Sequence, residues 1–314
     1  MARVTRKRAA RILVVGSSNT DMVVRADRIP RSGETVLGRA FATFPGGKGA
    51  NQAVAAARAG GKVRFVGRVG RDSLGATAIA GLVRDRIDVT RIIRDSRKPS
   101  GIALIMLAKD GENAIAVAPG ANERLSRSDV RAARGLFRDT DIVLLQLETP
   151  LGSIVAATEE ARRYGRTVIL NPAPARKLPG SLLRDVTLLT PNQSEAEELT
   201  DIPIRTLASA KAAARKLRSR GVSIVIITLG RRGALVSTGK GETLVRGYAV
   251  KAVDTTAAGD VFNGALAVAM AERQPLLEAV RFANAAAALS VTKKGAQHSA
   301  PRRSAIDKMI RGKR

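Results

Sequence analysis

The sequence has no cysteine, no tryptophan and a single histidine, His298. Without cysteine there can be no disulfide, no thiolate metal site and no cysteine nucleophile. One histidine cannot form a catalytic histidine pair or a histidine metal cluster, so we interpret His298 as part of the local structure. No stretch approaches the roughly 18 uninterrupted apolar residues of a membrane span, and the N-terminus lacks the apolar segment of a secretory signal. These absences predict a soluble cytoplasmic protein with no membrane partner.

Acidic residues are scarce relative to basic ones. The chain has 54 Lys and Arg against 27 Asp and Glu, which gives a net charge of +27. Residues 1–10 form a basic N-terminal tail. A strong positive charge attracts nucleotides, RNA and other anions. We therefore keep nucleic-acid binding through a basic surface as a distant alternative function. Aromatic residues, which stack on bases, make up only 3% of the chain, and we attribute the charge to solvated helix faces such as Lys211–Arg220.

Apolar segments of strand length alternate with segments of helical periodicity. This alternation favours βαβ units around a mostly parallel sheet, and 314 residues allow one large core. We predict an α/β fold with strands at Arg11–Gly16, Val63–Val66, Asp141–Gln146, Thr167–Leu170 and Ser223–Thr228. We predict helices at Ala50–Ala59, Leu151–Tyr164, Ala208–Arg220, Ala258–Ala271 and Leu276–Ser290.

Two segments depart from this alternation. Residues 19–44 hold short alternating runs separated by proline and glycine turn signals, and residues 98–121 hold two apolar runs joined by the hairpin-like Lys109–Asn113. Both patterns are typical of antiparallel strands added outside the main sheet. We therefore assign the rest of the chain to one large α/β domain, made of residues 11–18, 45–97 and 122–314.

The segment Asp254–Asp260, with the sequence Asp-Thr-Thr-Ala-Ala-Gly-Asp, carries the clearest chemical signal. Small residues between a strand and an Ala-rich helix let backbone N–H groups approach an anion, and the helix N-terminus adds the positive end of its dipole. Asp260 would lie beside a phosphoryl group bound there and could take a proton from an attacking hydroxyl. An ordinary N-cap at the start of the helix is the structural alternative.

Three further segments could contact ligands, and each also has a purely structural explanation. Phe44–Val54 is a glycine loop running into a helix, with Lys48 and Asn51 as polar side chains. It is not a Walker A loop, because glycine rather than Ser or Thr follows the lysine, and it could be a packing loop. Thr228–Val236 is typical of a strand, a glycine turn and a second strand. Such a turn could lie at the sheet edge where ligands bind, or it could belong to a simple hairpin. Asn192 begins a helix as an N-cap, which is compatible with a ligand contact.

Taken in order, two of these motifs resemble the two signatures of the ribokinase (PfkB-type) family of sugar kinases. They are Gly46–Ala53, with the sequence Gly-Gly-Lys-Gly-Ala-Asn-Gln-Ala, and Asp254–Asp260. The match extends in order from Gly16–Asp21 to Lys294–Gln297. Such a resemblance over nearly the whole chain implies an ATP-dependent sugar kinase.

Within the family, Gln146–Pro150 and Asn171–Arg176 resemble the ribokinase branch more than fructokinases or adenosine kinases. Ala257, where most members have glycine, is also frequent in that branch. The resemblance thus implies transfer of the ATP γ-phosphoryl group to the 5-hydroxyl of D-ribose. Kinases of the same family for deoxyribose, fructose or a nucleoside are the alternatives.

The resemblance also implies a three-layer α/β/α fold. The large domain is then the nucleotide-binding domain, and residues 19–44 and 98–121 form a β-sheet lid. Such a lid closes over the sugar and excludes water. In the ribokinase branch the lid sheets of two subunits pack together. We therefore expect a homodimer whose lid contributes to both the sugar site and the interface.

Roles for individual residues follow from the same resemblance, with Asp260 expected to be the catalytic base. The sugar is expected to contact Asn19, Asp21, Gly47, Lys48, Gly49, Asn51, Glu148 and Asp260. The expected anion hole is Ala257, Ala258 and Gly259. ATP, with Mg²⁺, is expected to contact Asn192, Thr228, Leu229, Gly230, Arg231, Gly233, Gly259 and Asn284. An activating K⁺ ion is expected to bind Asp254, Thr256, Ser290, Lys293, Gly295 and Ser299, and oxygen ligands suit such a hard cation.

Overall fold

The computed structural model describes residues 9–312, and the structural statements that follow concern that range. Residues 1–8, which form most of the basic N-terminal tail, lie outside it. Within the range the chain forms thirteen strands. They are β1 (Arg11–Val15), β2 (Asn19–Arg25), β3 (Ala40–Gly46), β4 (Lys62–Gly70), β5 (Asp88–Asp95), β6 (Gly101–Leu107), β7 (Asn113–Ala118), β8 (Ile142–Leu145), β9 (Thr167–Leu170), β10 (Leu188–Leu189), β11 (Ile224–Thr228), β12 (Gly233–Thr238) and β13 (Gly241–Arg246).

Twelve α-helices accompany these strands in the described part of the chain. No helix there has the length and apolar character needed to cross a membrane. The helices are α1 (Lys48–Arg58), α2 (Ser73–Arg84), α3 (Arg127–Ala132), α4 (Arg134–Arg138), α5 (Leu151–Arg163), α6 (Gly180–Asp185), α7 (Gln193–Thr200), α8 (Leu207–Ser219), α9 (Ala258–Ala271), α10 (Leu276–Ser290), α11 (Ala296–Ser299) and α12 (Arg303–Arg311).

Nine strands form the central sheet, in the order β13-β12-β11-β10-β9-β8-β1-β4-β5. The pairings from β11 to β5 are parallel, whereas β12 and β13, at one end of the sheet, are antiparallel to their neighbours. The prediction of a mostly parallel sheet is therefore confirmed. Because parallel strands end at the same edge, the loops after β1, β8, β9, β10 and β11 all open on one side of the sheet.

Helices cover both faces of this sheet, because its central strands are apolar on both sides. In β1, Ile12 and Val14 contribute to the core shared with α1, α9 and α10. Leu13 and Val15 contribute to the opposite core, shared with α5 and α8. All four side chains are fully buried. The three-layer α/β/α arrangement is thus confirmed.

A second sheet of four strands has the order β3-β2-β6-β7. The β2–β3 and β6–β7 pairings are antiparallel, as predicted, and the hairpin turn lies within Lys109–Asn113. The β2–β6 pairing is parallel, which corrects the expected antiparallel arrangement. The reason is topological. β2 continues from the end of β1 and β6 from the end of β5, so both leave the same edge of the parallel sheet in the same direction.

Candidate active site

The loop before α1 depends on glycine at position 47. Gly47 has a φ of 84°, and a Cβ there would lie 2.6 Å from the backbone nitrogen of Asn19. This close approach brings the start of α1 against the start of β2. The backbone N–H of Lys48 donates to Oε2 of Glu148 at 2.9 Å, and the Ser17 hydroxyl donates to the same oxygen at 2.6 Å. Glu148 is therefore anchored through one oxygen, and its Oε1 accepts no hydrogen bond from the described residues.

The N-terminus of α9 presents unpaired backbone N–H groups. Ala257 precedes the helix with a φ of 57°, a left-handed conformation that costs an alanine about 1–2 kcal/mol. Among residues 9–312, the N–H groups of Ala257 and Gly259 have no acceptor, whereas that of Ala258 donates to the Thr255 carbonyl at 3.2 Å. Free N–H groups at a helix N-terminus favour an anion. The three residues expected for the anion hole thus lie together, with Ala258 held in a turn.

Asp260 lies in the first turn of α9 and is only 6% exposed. Its carboxylate accepts hydrogen bonds from Nδ2 of Asn51 and Nε2 of Gln52, both at 3.0 Å. These bonds require α1 and α9 to approach closely at Gly264, where a Cβ would lie 2.6 Å from the carbonyl oxygen of Gln52. Burial raises the pKa of the Asp260 carboxylate, although Lys48 and the two amide donors oppose that rise. The carboxylate is thus fixed in position by donors that favour its charged form.

A cavity of about 870 Å³ is lined both by the small sheet and by loops of the central sheet. The residues expected to bind the sugar line it, with one exception. Gly49 lies outside the lining, where its N–H donates to the Ser17 hydroxyl at 3.2 Å. Oδ1 of Asn51 is buried and has no hydrogen-bond partner in the described chain, so it is available to accept from a ligand hydroxyl. The expected residues in the lining are Asn19, Asp21, Gly47, Lys48, Asn51, Glu148 and Asp260.

This larger cavity is strongly charged. Burial and the carboxylates of Glu148 and Asp260 raise the pKa of Asp21 to about 6. Burial of Lys48 favours its neutral form, but the surrounding carboxylates outweigh burial and raise the pKa of the Lys48 ammonium. Those carboxylates belong to Asp21, Glu148, Glu195 and Asp260. The cavity therefore combines acceptors for hydroxyl groups with two partly buried cations, the ammonium of Lys48 and the guanidinium of Arg176.

A smaller cavity of about 160 Å³ adjoins the larger one. Its lining includes the N-terminus of α9 and the ends of β10 and β11, through Thr190 and Thr228. Three residues line both cavities: Lys48, Ala257 and Asp260. The two cavities therefore meet at a carboxylate, a cation and a turn with a free N–H group, which suits transfer of a phosphoryl group between ligands.

The residues expected to bind ATP fall into two groups. Asn192, Thr228 and Gly259 line the smaller cavity. Asn192 caps α7 by accepting from the Glu195 N–H at 2.8 Å, so the predicted N-cap is present. The second group lies outside both cavity linings, at the turn between β11 and β12 and on α10. It comprises Leu229, Gly230, Arg231, Gly233 and Asn284, the last of which donates from Nδ2 to the Val245 carbonyl at 3.0 Å.

Two loops bring the residues expected to bind the cation near one another. Gly295 donates its N–H to Oδ2 of Asp254 at 2.8 Å, and Thr256 donates its N–H to Oδ1 at 2.9 Å. Val253 donates to the Val291 carbonyl at 2.7 Å, which joins the same loops. Of the remaining expected ligands, Ser290 ends α10, Lys293 lies in the second loop and Ser299 ends α11. One carboxylate with hydroxyl and carbonyl oxygens fits a hard monovalent cation. His298 is exposed on α11, beside this loop.

The structure adds site residues that the sequence reasoning missed. Gln52 bonds the Asp260 carboxylate, and Glu195 lines the smaller cavity. Asn122 lines the larger cavity and donates to Oδ1 of Asn19 at 2.7 Å. The position of Gln52 next to Asn51, within the glycine motif, was the available signal for its role. Asn122 carries no such signal, because it meets Asn19 only through the folding of the small sheet.

The chain resembles known proteins over nearly its whole length. The family model "pfkB family carbohydrate kinase" matches residues 9–303. A ribokinase from Haemophilus influenzae is 44% identical over 93% of this chain and 95% of that protein. A deoxyribokinase from Salmonella typhi is 38% identical over 92% of this chain and 95% of that protein.

The fold comparison agrees with the sequence comparison. The structure of Arabidopsis thaliana ribokinase complexed with ribose and ATP matches with a TM-score of 0.91 and 34% identity, covering 96% of this chain and 99% of that one. The family match, the identities and the shared fold lead to the same assignment. This chain belongs to the pfkB family of carbohydrate kinases.

Proposed function

We propose that this chain transfers the γ-phosphoryl group of ATP to the 5-hydroxyl of D-ribose and forms D-ribose 5-phosphate. The observation that carries the proposal is the position of Asp260 where the two cavities meet, next to the free N–H groups of Ala257 and Gly259. The similar ribokinase from H. influenzae, and the A. thaliana relative complexed with ribose and ATP, support the same pair of substrates.

In the proposed reaction, the 5-hydroxyl oxygen attacks the γ-phosphorus, and the bond between that phosphorus and the oxygen of the leaving ADP breaks. Asp260 accepts the proton of the hydroxyl. The N–H groups of the anion hole and the ammonium of Lys48 stabilise the charge on the transferring group. The other sugar hydroxyls donate to acceptors on the wall of the larger cavity: Asp21, Glu148 and Asn51.

The proposal includes Mg²⁺ bound with ATP and K⁺ as an activator. Oxygen donors of Asn192 and Glu195 line the smaller cavity and suit Mg²⁺, which binds phosphates together with few protein oxygens. When bound, the metal would neutralise phosphate charge. For K⁺ we propose the two loops joined by Asp254. Because ATP is the proposed donor, we propose a cytoplasmic location.

The test is a sugar panel with purified protein, Mg-ATP and either potassium or sodium salt. D-ribose should give the highest kcat/KM, the product should be identified as the 5-phosphate, and sodium should lower the rate. Deoxyribose, fructose and adenosine complete the panel. If the wall residues accept a hydrogen bond from the 2-hydroxyl, kcat/KM for deoxyribose should be lower than that for ribose by a large factor. Buried acceptors would then be left without a partner. Absence of ADP release with every pentose would refute the proposal.

The role of Asp260 is tested by Asp260→Asn, which keeps the size of the side chain and removes the proton acceptor. The variant should bind ATP normally and lose about 10²–10⁴-fold in kcat. Isothermal titration with the nucleotide and a coupled ADP assay provide the two measurements. A variant that retains most of its turnover would contradict the assignment of the base.

We further propose that the four-stranded sheet acts as a lid. Its cavity-facing residues, among them Ala103, Ile105, Ile115 and Val117, form an apolar wall over the proposed sugar site. Such a wall would exclude water and so limit transfer of the phosphoryl group to water. The same sheet is the proposed dimer interface.

A further inference from the structure

The Asp260 carboxylate is supported from behind by a buried glutamine. Gln52 is 0% exposed and lies outside the linings of both cavities. Its Nε2 donates to Oδ1 of Asp260 at 3.0 Å and to Oδ1 of Asn171 at 3.0 Å. Its Oε1 accepts from Nε2 of Gln146 at 2.7 Å. Both protons and the oxygen of this amide are therefore engaged.

The direction of these hydrogen bonds is imposed by Asp260. A carboxylate can only accept, so Gln52 must turn its nitrogen towards it and its oxygen towards Gln146. Rotating the Gln52 amide by half a turn would set its oxygen against two acceptors and its nitrogen against the Gln146 nitrogen. Gln146 in turn leaves its own Oε1 buried without a partner in the described chain. A buried oxygen without a partner is unfavourable, so the contacts of Gln146 alone do not account for the orientation of its amide. That orientation follows from the orientation of Gln52, which the Asp260 carboxylate fixes.

The chain of hydrogen bonds continues to the anion hole. Nδ2 of Asn171 donates to the Thr190 carbonyl at 3.2 Å, and the Thr190 hydroxyl donates to Oδ1 of Asn263 at 2.6 Å. Nδ2 of Asn263 donates to the carbonyl of Gly259 at 2.9 Å. Because Gly259 is bonded covalently to Asp260, the chain closes into a ring.

The ring is also fastened to the central sheet. Gln146, Asn171 and Thr190 directly follow β8, β9 and β10, at the carboxyl edge of the sheet. Three neighbouring strands therefore hold one end of the ring, while α1 and α9 hold the other. Gln146 is attached to the ring but is not a member of it, and its Oε1 is the buried atom without a partner. No buried side-chain atom of the ring itself lacks one within the described residues, and polar networks that are satisfied in this way are rigid in a buried environment.

We propose that Gln52 is a positioning residue for the catalytic base, and that the ring fixes the Asp260 carboxylate, in its charged form, relative to the anion hole. This inference rests on the proposed function, since it assigns Asp260 the role of base. Gln52 differs from Asn51 and Lys48, because those two residues line the cavities and are available to ligands, whereas Gln52 reaches the reaction only through Asp260.

Other charged groups also act on Asp260, and the test must separate them from Gln52. Lys48 on α1 stabilises the charged carboxylate, while Glu148 after β8 destabilises it. Asp21 on β2 and Glu195 on α7 are further carboxylates that interact with Asp260. A substitution at Gln52 leaves all four of these groups in place. Any new pH dependence then originates from the lost hydrogen bond.

The experiment is Gln52→Met, which keeps the length of the side chain and removes its donors. Phosphoryl transfer is measured by rapid quench in a single turnover at pH 6 and at pH 8.5, with the acceptor found best for the unmodified protein. Loss of a donor to the charged form raises the pKa of a carboxylic acid, so the rate should fall more at the lower pH. The ratio of the rate at pH 8.5 to the rate at pH 6 should rise by up to about tenfold, while KM for ATP and for the acceptor changes by less than about twofold.

Two further variants serve as controls. Gln146→Met removes the donor that orients Gln52 without touching Asp260, and it should change the ratio in the same direction but less. Thr158→Val removes a buried hydroxyl that donates to the Val155 carbonyl at 2.8 Å on α5, outside the ring, and it should leave the ratio unchanged. Thermal unfolding of each variant reports on folding.

The outcomes are distinguishable. An equal loss at both pH values, or a change in KM with an unchanged ratio, would overturn the positioning role and leave Gln52 as a packing residue. If the unmodified protein turns over no sugar, the proposed function fails instead, and that result is obtained before any variant is compared.

Discussion

The Asp21 carboxylate lies in the larger cavity, where burial and the charges of Glu148 and Asp260 raise its pKa to about 6. An ordinary Asp has a pKa near 3.8. At neutral pH the charged Asp21 carboxylate is therefore less stable in the folded protein than in the unfolded chain. Between about pH 4 and pH 6 the folded state binds more protons at Asp21 than the unfolded state does, so stability declines as the pH rises through this window and remains lower above it.

Asp21→Asn should therefore stabilise the protein at pH 7.5 by about 2 kcal/mol or less. The gain should shrink as the pH is lowered through 6 towards 4, because Asp21 of the unmodified protein is then neutral as well. The same variant should raise KM for the sugar, since a charged acceptor is lost. Urea unfolding at the two pH values measures the first effect, and Asp110→Asn, in the exposed hairpin turn, is the control. Equal stability of Asp21→Asn and the unmodified chain at pH 7.5 would contradict the argument.

Single residues also show how far the site could be predicted from the sequence. Asp260 and Glu148 stand in motifs whose family roles point directly at a ligand. Gln52 stands in a motif too, but its role depends on Asn171 and Gln146, which belong to different strands. A buried amide has no signature of its own in a sequence, because the same residue type serves equally well as an ordinary packed side chain. The hydrogen bonds through which Gln52 holds the Asp260 carboxylate could therefore not be predicted from the sequence.

At the scale of elements, the contact between α1 and α9 decides whether Asp260 reaches its donors. A Cβ at position 264 would lie 2.6 Å from the Gln52 carbonyl and 2.7 Å from the Ala55 Cβ. Gly264→Ala should push the helices apart, destabilise the protein by about 1–3 kcal/mol and lower kcat, because the bonds to Asp260 lengthen. Chemical unfolding and steady-state kinetics measure the two effects.

The matched control for that prediction is Gly81→Ala. Gly81 lies inside α2, and a Cβ there would meet no atom within 4 Å. Alanine favours a helix over glycine by about 1 kcal/mol, so this variant should be more stable and equally active. If Gly264→Ala behaved like Gly81→Ala, the close approach of α1 and α9 would not matter for the site.

Elements with a uniform apolar or Ala-rich pattern could be predicted from sequence. The bounds of β9, α9 and α10 agree with the prediction. β5 was not predicted, because this edge strand is largely exposed and carries charged residues among its apolar ones. The parallel pairing of β2 with β6 was not predicted either, since it joins segments that are distant in sequence and depends on where β1 and β5 end.

Across the whole described molecule, large exposed apolar side chains concentrate on the segments assigned to the lid. Eight such residues are present in the described range, and five of them lie within residues 19–44 or 98–121. The five are Leu37, Phe41, Leu104, Ile115 and Val117. Ile115 and Val117 face the larger cavity, whereas Leu104, between two cavity-lining neighbours on β6, points to the other face. Apolar surface on both faces of a small sheet favours a protein partner, and the proposed partner is a second copy of this chain.

The homodimer is tested by the double variant Leu104→Lys with Ile115→Lys, which adds charge to both faces of the lid. These side chains are 51% and 57% exposed, so the monomer should fold, while burial of two unpaired charges should abolish association. Light scattering after size exclusion should give a dimer for the unmodified protein and a monomer for the variant. The matched control is Val83→Lys with Leu277→Lys, at positions 53% and 42% exposed on the large domain, which should remain dimeric. If the unmodified protein were monomeric, the proposed dimer would be refuted. If the lid variant still dimerised, the interface would lie outside the lid.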